Sequence, residues 1–136
     1  MAGALGAELV DPMVVVNSAA DLIAAIQLAY SHGNTRLFRF NAGSAWGGKI
    51  VMRTADRLVL SPYYPVKLAP TGFPDIAGWT SGANGASGAL FVGIEAKWGR
   101  DRVRPEQQAF IDLILAHGGR AGVARSMEDA GTILRI

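Results

Sequence analysis

A mostly apolar stretch that ends in two charged residues constrains the fold of this chain more than any other feature. Residues 89–98 alternate as in a β-strand, and alternate side chains of a strand point to opposite faces. One face carries only apolar side chains and belongs in a core: Leu90, Val92, Ile94, Ala96 and Trp98. The other face ends with Glu95 and Lys97, about 7 Å apart along the strand. Two charges beside a core require partners.

The segments around this strand predict an α/β fold, a sandwich of helices around a mixed sheet. The first half of the pattern predicts a helix from Ser18 to Gly33, a strand at 36–41 that ends before the glycines at 43, 47 and 48, and a hairpin of 49–53 and 57–60. Residues 61–74 hold four prolines and are predicted to be mostly loop. The second half predicts strands at 75–79 and 89–98, a helix from Pro105, a strand at 121–124, and a last helix capped by Ser126. We assign residues 1–16 to an N-terminal extension and residues 17–136 to a single domain.

Composition excludes several classes of protein. The chain has no cysteine, which rules out disulfides and cysteine-ligated zinc. Its first residues lack the basic flank of a signal peptide, and no apolar run approaches the ~18 residues of a membrane span, so we expect a cytoplasmic protein. The net charge of +2 is weak support for a nucleic-acid partner, although ten of the 13 basic residues lie between Arg36 and Arg104.

Three residues form a candidate catalytic group. If the strands at 75–79 and 89–98 pair as a hairpin, Asp75 lies beside Glu95, and Lys97 is close to both. Two carboxylates suit Mg²⁺ or Mn²⁺, which activate water and neutralise charge on a phosphodiester. Lys97 would then hold the attacking water or stabilise the oxyanion. Taken singly, Asp75 could be a turn residue, and Glu95 and Lys97 could face solvent on an edge strand.

Three motifs together resemble a known family. Gly72-Phe-Pro-Asp75, Glu95-x-Lys97 and Pro105-Glu-Gln107 occur in this order, and the third opens a helix. The set resembles the PD-(D/E)XK nuclease superfamily, and within it the virus-type replication-repair nuclease (VRR-NUC) branch. The resemblance covers about residues 17–134. It implies a PD-(D/E)XK nuclease-like mixed β-sheet flanked by helices.

The resemblance also implies roles for individual residues. Asp75 and Glu95 would bind Mg²⁺ or Mn²⁺ together with the backbone carbonyl of Ala96, Lys97 would act on the water or the phosphate, and Gln107 would shape the site. Small phage and bacterial members of this family look like homodimers that cut branched DNA, especially four-way (Holliday) junctions. The resemblance therefore suggests a homodimer that acts on branched DNA in a bacterial or phage-infected cell. A nuclease acting on flaps, ends or single-stranded DNA, or an inactive DNA-binding module, are the alternatives.

The first helix departs from the family pattern. Members usually carry a glutamate there that reaches the metal, whereas this chain has Ser18-Ala-Ala-Asp21. Asp21 either replaces that glutamate as a metal ligand or caps the helix, since it lies three residues after Ser18. If it caps the helix, fewer protein groups hold the metal, and one ion is favoured over two.

Basic and aromatic residues complete the sequence-based predictions. Arg100, Arg102 and Arg104 alternate after the catalytic strand, and Arg39 ends an earlier strand. We predict that these four arginines contact DNA phosphates, the alternative being a solvated surface. The three tryptophans, at positions 46, 79 and 98, are interpreted as packing residues rather than platforms for base stacking.

Overall fold

A computed structural model describes residues 15–40, 43–82 and 88–136 of the chain. Most of the predicted N-terminal extension, residues 1–14, and much of the predicted turn at 81–88 lie outside the described residues. The elements are α1 (Ala19–Tyr30), β1 (Arg36–Arg39), β2 (Ser44–Arg53), β3 (Leu58–Lys67), β4 (Ile76–Ser81), β5 (Ala89–Ala96), α2 (Pro105–Ala116), β6 (Arg120–Ala124) and α3 (Met127–Leu134).

Four strands form a mixed sheet in the order β1-β4-β5-β6. The pairs β1–β4 and β4–β5 are antiparallel, and β5–β6 is parallel. A parallel neighbour requires a crossover connection, which α2 supplies between β5 and β6. The predicted α/β fold with a mixed sheet between helices is confirmed.

The core lies between one face of this sheet and helices α1 and α3. Ile26 of α1, Ile76 of β4 and Ile94 of β5 are completely buried there, beside Leu134 of α3. Burying an aliphatic side chain of this size contributes about 1.5–3 kcal/mol, so this cluster supplies much of the folding free energy. Alternation along β5 then turns Glu95 to the opposite face of the sheet.

That opposite face is covered as well, so β5 is buried on both sides. A side chain at Gly93 would come within 2.6 Å of Ile114 on α2 and 2.9 Å of Pro74. Glu95 and Lys97 are 2% and 8% exposed. The edge-strand alternative, with both charges facing solvent, is therefore wrong. Helix α2 and the segment before β4 enclose the two charges.

The predicted hairpin exists, but its strands are longer than expected. Strand β2 begins at Ser44, whereas Gly47 and Gly48 were expected to interrupt the chain, and β3 continues to Lys67 through Pro62 and Pro65. The loop predicted for the first part of 61–74 is wrong. Proline is tolerated where one side of a strand has no neighbour, and β3 is an edge strand of a two-stranded sheet.

The packing prediction for the tryptophans also needs correction. Trp46 is 62% exposed on β2, and Trp79 and Trp98 are also exposed. Trp46 contacts Tyr63 and Trp79 contacts Phe38, with ring centroids 5.5 and 5.4 Å apart. These side chains lie on surfaces that no element in the described part of the chain covers fully.

Candidate active site

The hairpin of β4 and β5 brings Asp75 to Glu95. Ile76 pairs with Ile94, so the preceding Asp75 lies next to Glu95 on the adjacent strand. The Oδ2 atom of Asp75 accepts a hydrogen bond of 3.0 Å from the backbone N–H of Ala96, which fixes the carboxylate against β5. The predicted hairpin and the predicted proximity of the two acids are confirmed.

Glu95 occupies the centre of the site, and its two carboxylate oxygens have different surroundings. Oε1 accepts a 2.6 Å hydrogen bond from Gln107 Nε2 and lies 3.4 Å from the ammonium of Lys97. Oε2 is buried and accepts no hydrogen bond within the described residues. A buried polar atom without a partner costs free energy, so this oxygen is available to a ligand such as a cation.

Burial raises the pKa of Glu95 to about 7, and repulsion from the Asp75 carboxylate acts in the same direction. Attraction to Lys97 opposes both effects without cancelling them. The charged form of Glu95 is therefore costly in the metal-free protein. A positive charge bound between the two acids would relieve both causes, desolvation and repulsion.

This shift predicts how the stability of the metal-free protein varies with pH. A carboxyl whose pKa is higher in the folded state keeps its proton longer there, so stability falls as pH rises from about 4.5 towards 7. Glu95→Gln removes the dependence. In EDTA at pH 8 we expect this variant to exceed wild type by about 2–3 kcal/mol in unfolding free energy, with no advantage at pH 5. Thermal unfolding at both pH values measures this, with Glu106→Gln, at an exposed ion pair, as control. An equal gain at both pH values would contradict it.

Gln107 connects Glu95 to the start of α2. Pro105 is the first residue of that helix, and the Oε1 atom of Gln107 accepts a hydrogen bond of 2.9 Å from the backbone N–H of Arg104. Its Nε2 atom donates to Glu95, so both ends of the amide are used. The neighbouring Gln108 instead bonds to Asp112 on the exposed side of the helix. The assignment of the site glutamine to position 107 agrees with this geometry.

Gln107→Ala is expected to lower cleavage about 10–100-fold, the range observed when a group that orients a metal ligand is lost. Gln108→Ala is the matched control, since it removes the same side chain one position away, outside the site. We expect less than a twofold change in rate for the control. Single-turnover cleavage rates measure both variants, and equal rates would remove Gln107 from the site.

The chain segment that contains the site matches the model of a known protein family. The model of the VRR-NUC domain matches residues 66–128, a segment that contains Asp75, Glu95, Lys97 and Gln107. The match supports the assignment of this segment to the VRR-NUC family. VRR-NUC domains are of the PD-(D/E)XK superfamily, so the match indicates a function of the nuclease type and implies DNA as the substrate. No curated protein sequence matches the chain.

The VRR-NUC resemblance left two roles open for Asp21, and the geometry supports helix capping. The backbone N–H of Asp21 donates to Ser18 Oγ at 3.1 Å, and its own Oδ2 accepts from the N–H of Asn17 at 3.1 Å. These bonds satisfy backbone donors at the start of α1. In this structure the Asp21 carboxylate therefore caps the start of the helix.

The donors that this VRR-NUC site offers fit a divalent cation. Asp75 and Glu95 provide hard oxygen atoms on adjacent chain segments, and one of these oxygens, Oε2 of Glu95, has no partner among the described residues. No cluster of three or more His, Cys, Asp or Glu side chains that could hold a metal occurs among residues 15–40, 43–82 and 88–136. A cation would thus take two carboxylates and complete its shell with backbone carbonyl, water or substrate oxygens, as Mg²⁺ commonly does.

Four predicted DNA-binding arginines are exposed around this site. Arg100 and Arg102 lie in the loop between β5 and α2, and Arg104 pairs with Glu106 at 2.9 Å at the start of α2. Arg39 pairs in register with Ile76, next to Asp75. All four therefore lie on elements that adjoin the catalytic hairpin or follow it directly.

Sequence reasoning missed Arg125, which holds the basic loop in place. Its guanidinium donates to the carbonyl oxygens of Asp101 at 2.8 Å and Gly99 at 3.4 Å. Arg125 follows β6, which is parallel to β5. The segments that follow β5 and β6 therefore leave the sheet at the same end of the strands. No local pattern marks this arginine, because its partners are backbone carbonyls about 25 residues away.

Within the part of the chain that the structure describes, no helix is both long and apolar enough to cross a membrane.

Proposed function

We propose that this protein is a DNA endonuclease that hydrolyses phosphodiester bonds with the help of Mg²⁺ or Mn²⁺. One observation carries the proposal: a buried carboxylate, Glu95, lies beside Asp75 and has one oxygen that accepts no hydrogen bond in the described part of the chain. A structural ion pair would satisfy both oxygens of such a carboxylate. Glu95 instead remains partly unsatisfied and electrostatically strained, which suits a site that acquires a cation and a substrate.

In this proposal each residue has a definite task. Asp75, Glu95 and the carbonyl oxygen of Ala96 would hold the cation. When bound, the ion supplies Lewis acidity, which lowers the pKa of water and neutralises charge that develops on the phosphate. Lys97 is held close to Glu95 by its ion pair and presents its ammonium to the attacking water or the phosphate. Gln107 fixes the orientation of Glu95 through Oε1 and thereby leaves Oε2 free.

The arginines would hold the DNA backbone. Arg100, Arg102 and Arg104 are exposed, and the first two belong to the loop that Arg125 holds in place. Replacing these three by alanine should make the slope of log K against log salt less negative by up to ~2.7, since each phosphate contact contributes about 0.9. Binding titrations of duplex DNA in EDTA measure this slope. Arg135→Ala, at the end of α3, is the control. An unchanged slope in the triple variant would remove these residues from the interface.

Branched DNA, and four-way (Holliday) junctions in particular, is the substrate that we propose, on family resemblance. Resolution of such a junction takes two symmetric cuts and therefore two active sites, which predicts a homodimer. The alternatives are a nuclease for flaps, ends or single-stranded DNA, and an inactive nuclease fold that only binds DNA. The presence of Asp75, Glu95 and Lys97 together in one site favours an active enzyme over the last of these.

One experiment ranks these alternatives. Labelled four-way junction, flap, single-stranded and linear duplex DNA are each incubated with wild type in Mn²⁺ or Mg²⁺. The proposal expects the fastest cleavage on the four-way junction, with paired cuts on opposing strands. Preferred cutting of flaps or ends would move the assignment to the second class. Calorimetry with Mn²⁺ separates the inactive module, because a fold without catalysis has no need of a metal site.

A further inference from the structure

The sheet face that carries the active site also carries exposed aromatic side chains. Helix α2 covers this face at Gly93, where an added Cβ would meet Ile114. Towards β1 the face is open, and four aromatic side chains there are between 41% and 46% exposed: Phe38, Phe40, Trp79 and Phe91. We call these four residues the aromatic row. Grouped aromatic exposure of this kind marks an interaction site.

Strand register places the aromatic row on the same face as Glu95. Phe91 lies four residues before Glu95 in β5, and alternate residues of a strand share a face. Trp79 pairs with Phe91 across the β4–β5 hairpin. Phe38 lies diagonally across from Trp79 on β1, and their ring centroids are 5.4 Å apart. The row and the candidate active site therefore form one continuous surface.

Phe40 connects the aromatic row to the segment that carries Asp75. Its backbone N–H donates a hydrogen bond of 2.8 Å to the carbonyl oxygen of Asp75. Its ring packs edge-on against Phe73 with centroids 5.1 Å apart, and Phe73 contacts Phe110 of α2 in the same way. These contacts fix the end of the row beside the site, so a DNA strand that is cut at Asp75 can pass over the row.

Trp79 lines two adjoining depressions of different chemistry. One is an apolar cavity of about 350 Å³ formed by the aromatic row above Ala77 and Gly78. The other is more polar and is lined by Trp79 together with Arg36 and Asn34. An apolar cavity beside a cation fits a nucleotide, because the faces of its base are flat and stack on aromatic rings whereas its phosphate is an anion.

The charges around the aromatic row favour nucleic acid as the ligand. Arg36 and Arg39 are exposed and flank Phe38 on β1, an edge strand of the sheet. Nη1 of Arg36 donates to the carbonyl oxygens of Gly33 and Thr35, at 2.8 and 2.7 Å, which holds this charge beside Trp79. Among residues 33–40, 76–82 and 88–94, these two arginines are the only charged residues. A cationic rim without acidic residues attracts phosphate.

We propose that the aromatic row binds unpaired bases of a DNA strand next to the bond that is cleaved at Asp75, while Arg36 and Arg39 contact the phosphates. Rings that stack on any base, together with cations that follow the backbone, bind single strands without sequence preference. Bases inside a duplex are already stacked and paired, and extracting them costs free energy. The inference rests on the proposed function for the presence of DNA at Asp75. It narrows the substrate to branched DNA with unpaired nucleotides at the branch point.

The first test is the affinity for an oligothymidylate of about 12 nucleotides, measured in EDTA so that no cleavage is required. Trp79→Leu keeps an apolar side chain but removes the ring, and we expect it to weaken binding about 5–150-fold, the effect of losing one stacked base. Trp79→Phe keeps a ring and should bind within about threefold of wild type. Trp46→Leu is the control, since Trp46 is 62% exposed on the β2–β3 hairpin, and it should leave the affinity unchanged.

Two results of this titration would overturn the proposal. Unchanged affinity in Trp79→Leu would show that the row does not contact the strand. Equal losses in the leucine and phenylalanine variants would show that the size of the side chain matters and that stacking does not. Thermal unfolding of both variants checks that the compared proteins are folded.

A second measurement observes stacking directly. Trp46→Phe with Trp98→Phe leaves Trp79 as the only tryptophan of the chain. A base that stacks on this indole should quench its fluorescence when the oligothymidylate is added. A fully paired linear duplex at saturating concentration should quench it much less, because its bases stay stacked on one another. Equal quenching by the two ligands would contradict the preference for unpaired bases.

The outcomes separate this inference from the nuclease assignment and from a protein interface. Ring-dependent binding of oligothymidylate by a protein that cleaves no DNA would leave the inference standing and overturn the proposed function. Cleavage by wild type, together with unchanged oligothymidylate affinity in Trp79→Leu, would do the reverse. An oligomer that dissociates in Trp79→Leu while this affinity stays the same would assign the row to a second protein chain and overturn the inference.

Discussion

Replacing Lys97 by methionine is expected to lower DNA cleavage about 10²–10³-fold while Mn²⁺ binding persists. The ammonium of Lys97 lies 3.4 Å from Glu95 Oε1 and is nearly excluded from solvent, so it acts in a low-dielectric site. Loss of one preorganised group that stabilises the transition state costs about this factor. Methionine keeps the apolar stem, so the fold should be retained.

The measurement pairs single-turnover cleavage with Mn²⁺ calorimetry at pH 8. Loss of Lys97 removes an attraction that lowers the pKa of Glu95, so the calorimetry checks that the variant still binds the ion at this pH. Lys49→Met, on the exposed part of β2, is the control and should change the rate by less than about threefold. If Lys97→Met cleaved at the wild-type rate, the ammonium would be only a partner of Glu95, without a part in the chemistry.

Gly72→Ala is expected to produce a large loss of stability for a single added methyl group. Gly72 has a φ of +85°, and an added Cβ would lie 2.2 Å from the backbone carbonyl oxygen of Glu106 in the first turn of α2. A left-handed conformation costs about 1–2 kcal/mol for alanine, and overpacking against backbone costs about 1–3 more. The summed loss is a large part of the 5–15 kcal/mol that holds a domain of this size folded.

Gly33→Ala is the matched control. Gly33 has a φ of +59°, but an added Cβ would meet no atom within 4 Å, so only the conformational cost applies. In thermal unfolding, each kcal/mol corresponds to about 3–5 °C for a chain of this length, so Gly72→Ala should melt about 5–10 °C below the control. Equal melting temperatures would show that the segment before Asp75 is free to move away from α2.

The site could be predicted from the sequence because each of its parts carries a local signal. A strand that ends in Glu95-x-Lys97 marks its own orientation, and a hairpin brings the preceding Asp75 beside it. Pro105 marks the first turn of a helix, which places Gln107 at a known distance from the helix start. These inferences need only alternation, turn signals and one antiparallel pairing.

The features of the fold and the site that the sequence did not predict depend on contacts between segments that are distant in the chain. Nothing near Glu95 in the sequence indicates that Pro74 and Ile114 cover the second face of β5, and nothing near Arg125 indicates its bonds to the basic loop. Prolines at 62 and 65 predicted a loop because the rule assumes a strand with neighbours on both sides. In the two-stranded β2–β3 hairpin each strand has a free edge, so the rule does not apply. The exposure of Trp46 likewise follows from its position on this hairpin, whereas its residue type predicted packing.

The central claim is that Asp75, Glu95 and Lys97 form a metal-dependent nuclease site, and its most direct test is cleavage of labelled DNA by wild type with Mn²⁺ or with EDTA. The account predicts cutting of at least one of the duplex, flap, single-stranded and four-way substrates with Mn²⁺, and none with EDTA. Cleavage that continues in EDTA, or no cleavage by folded protein that binds Mn²⁺, would contradict it.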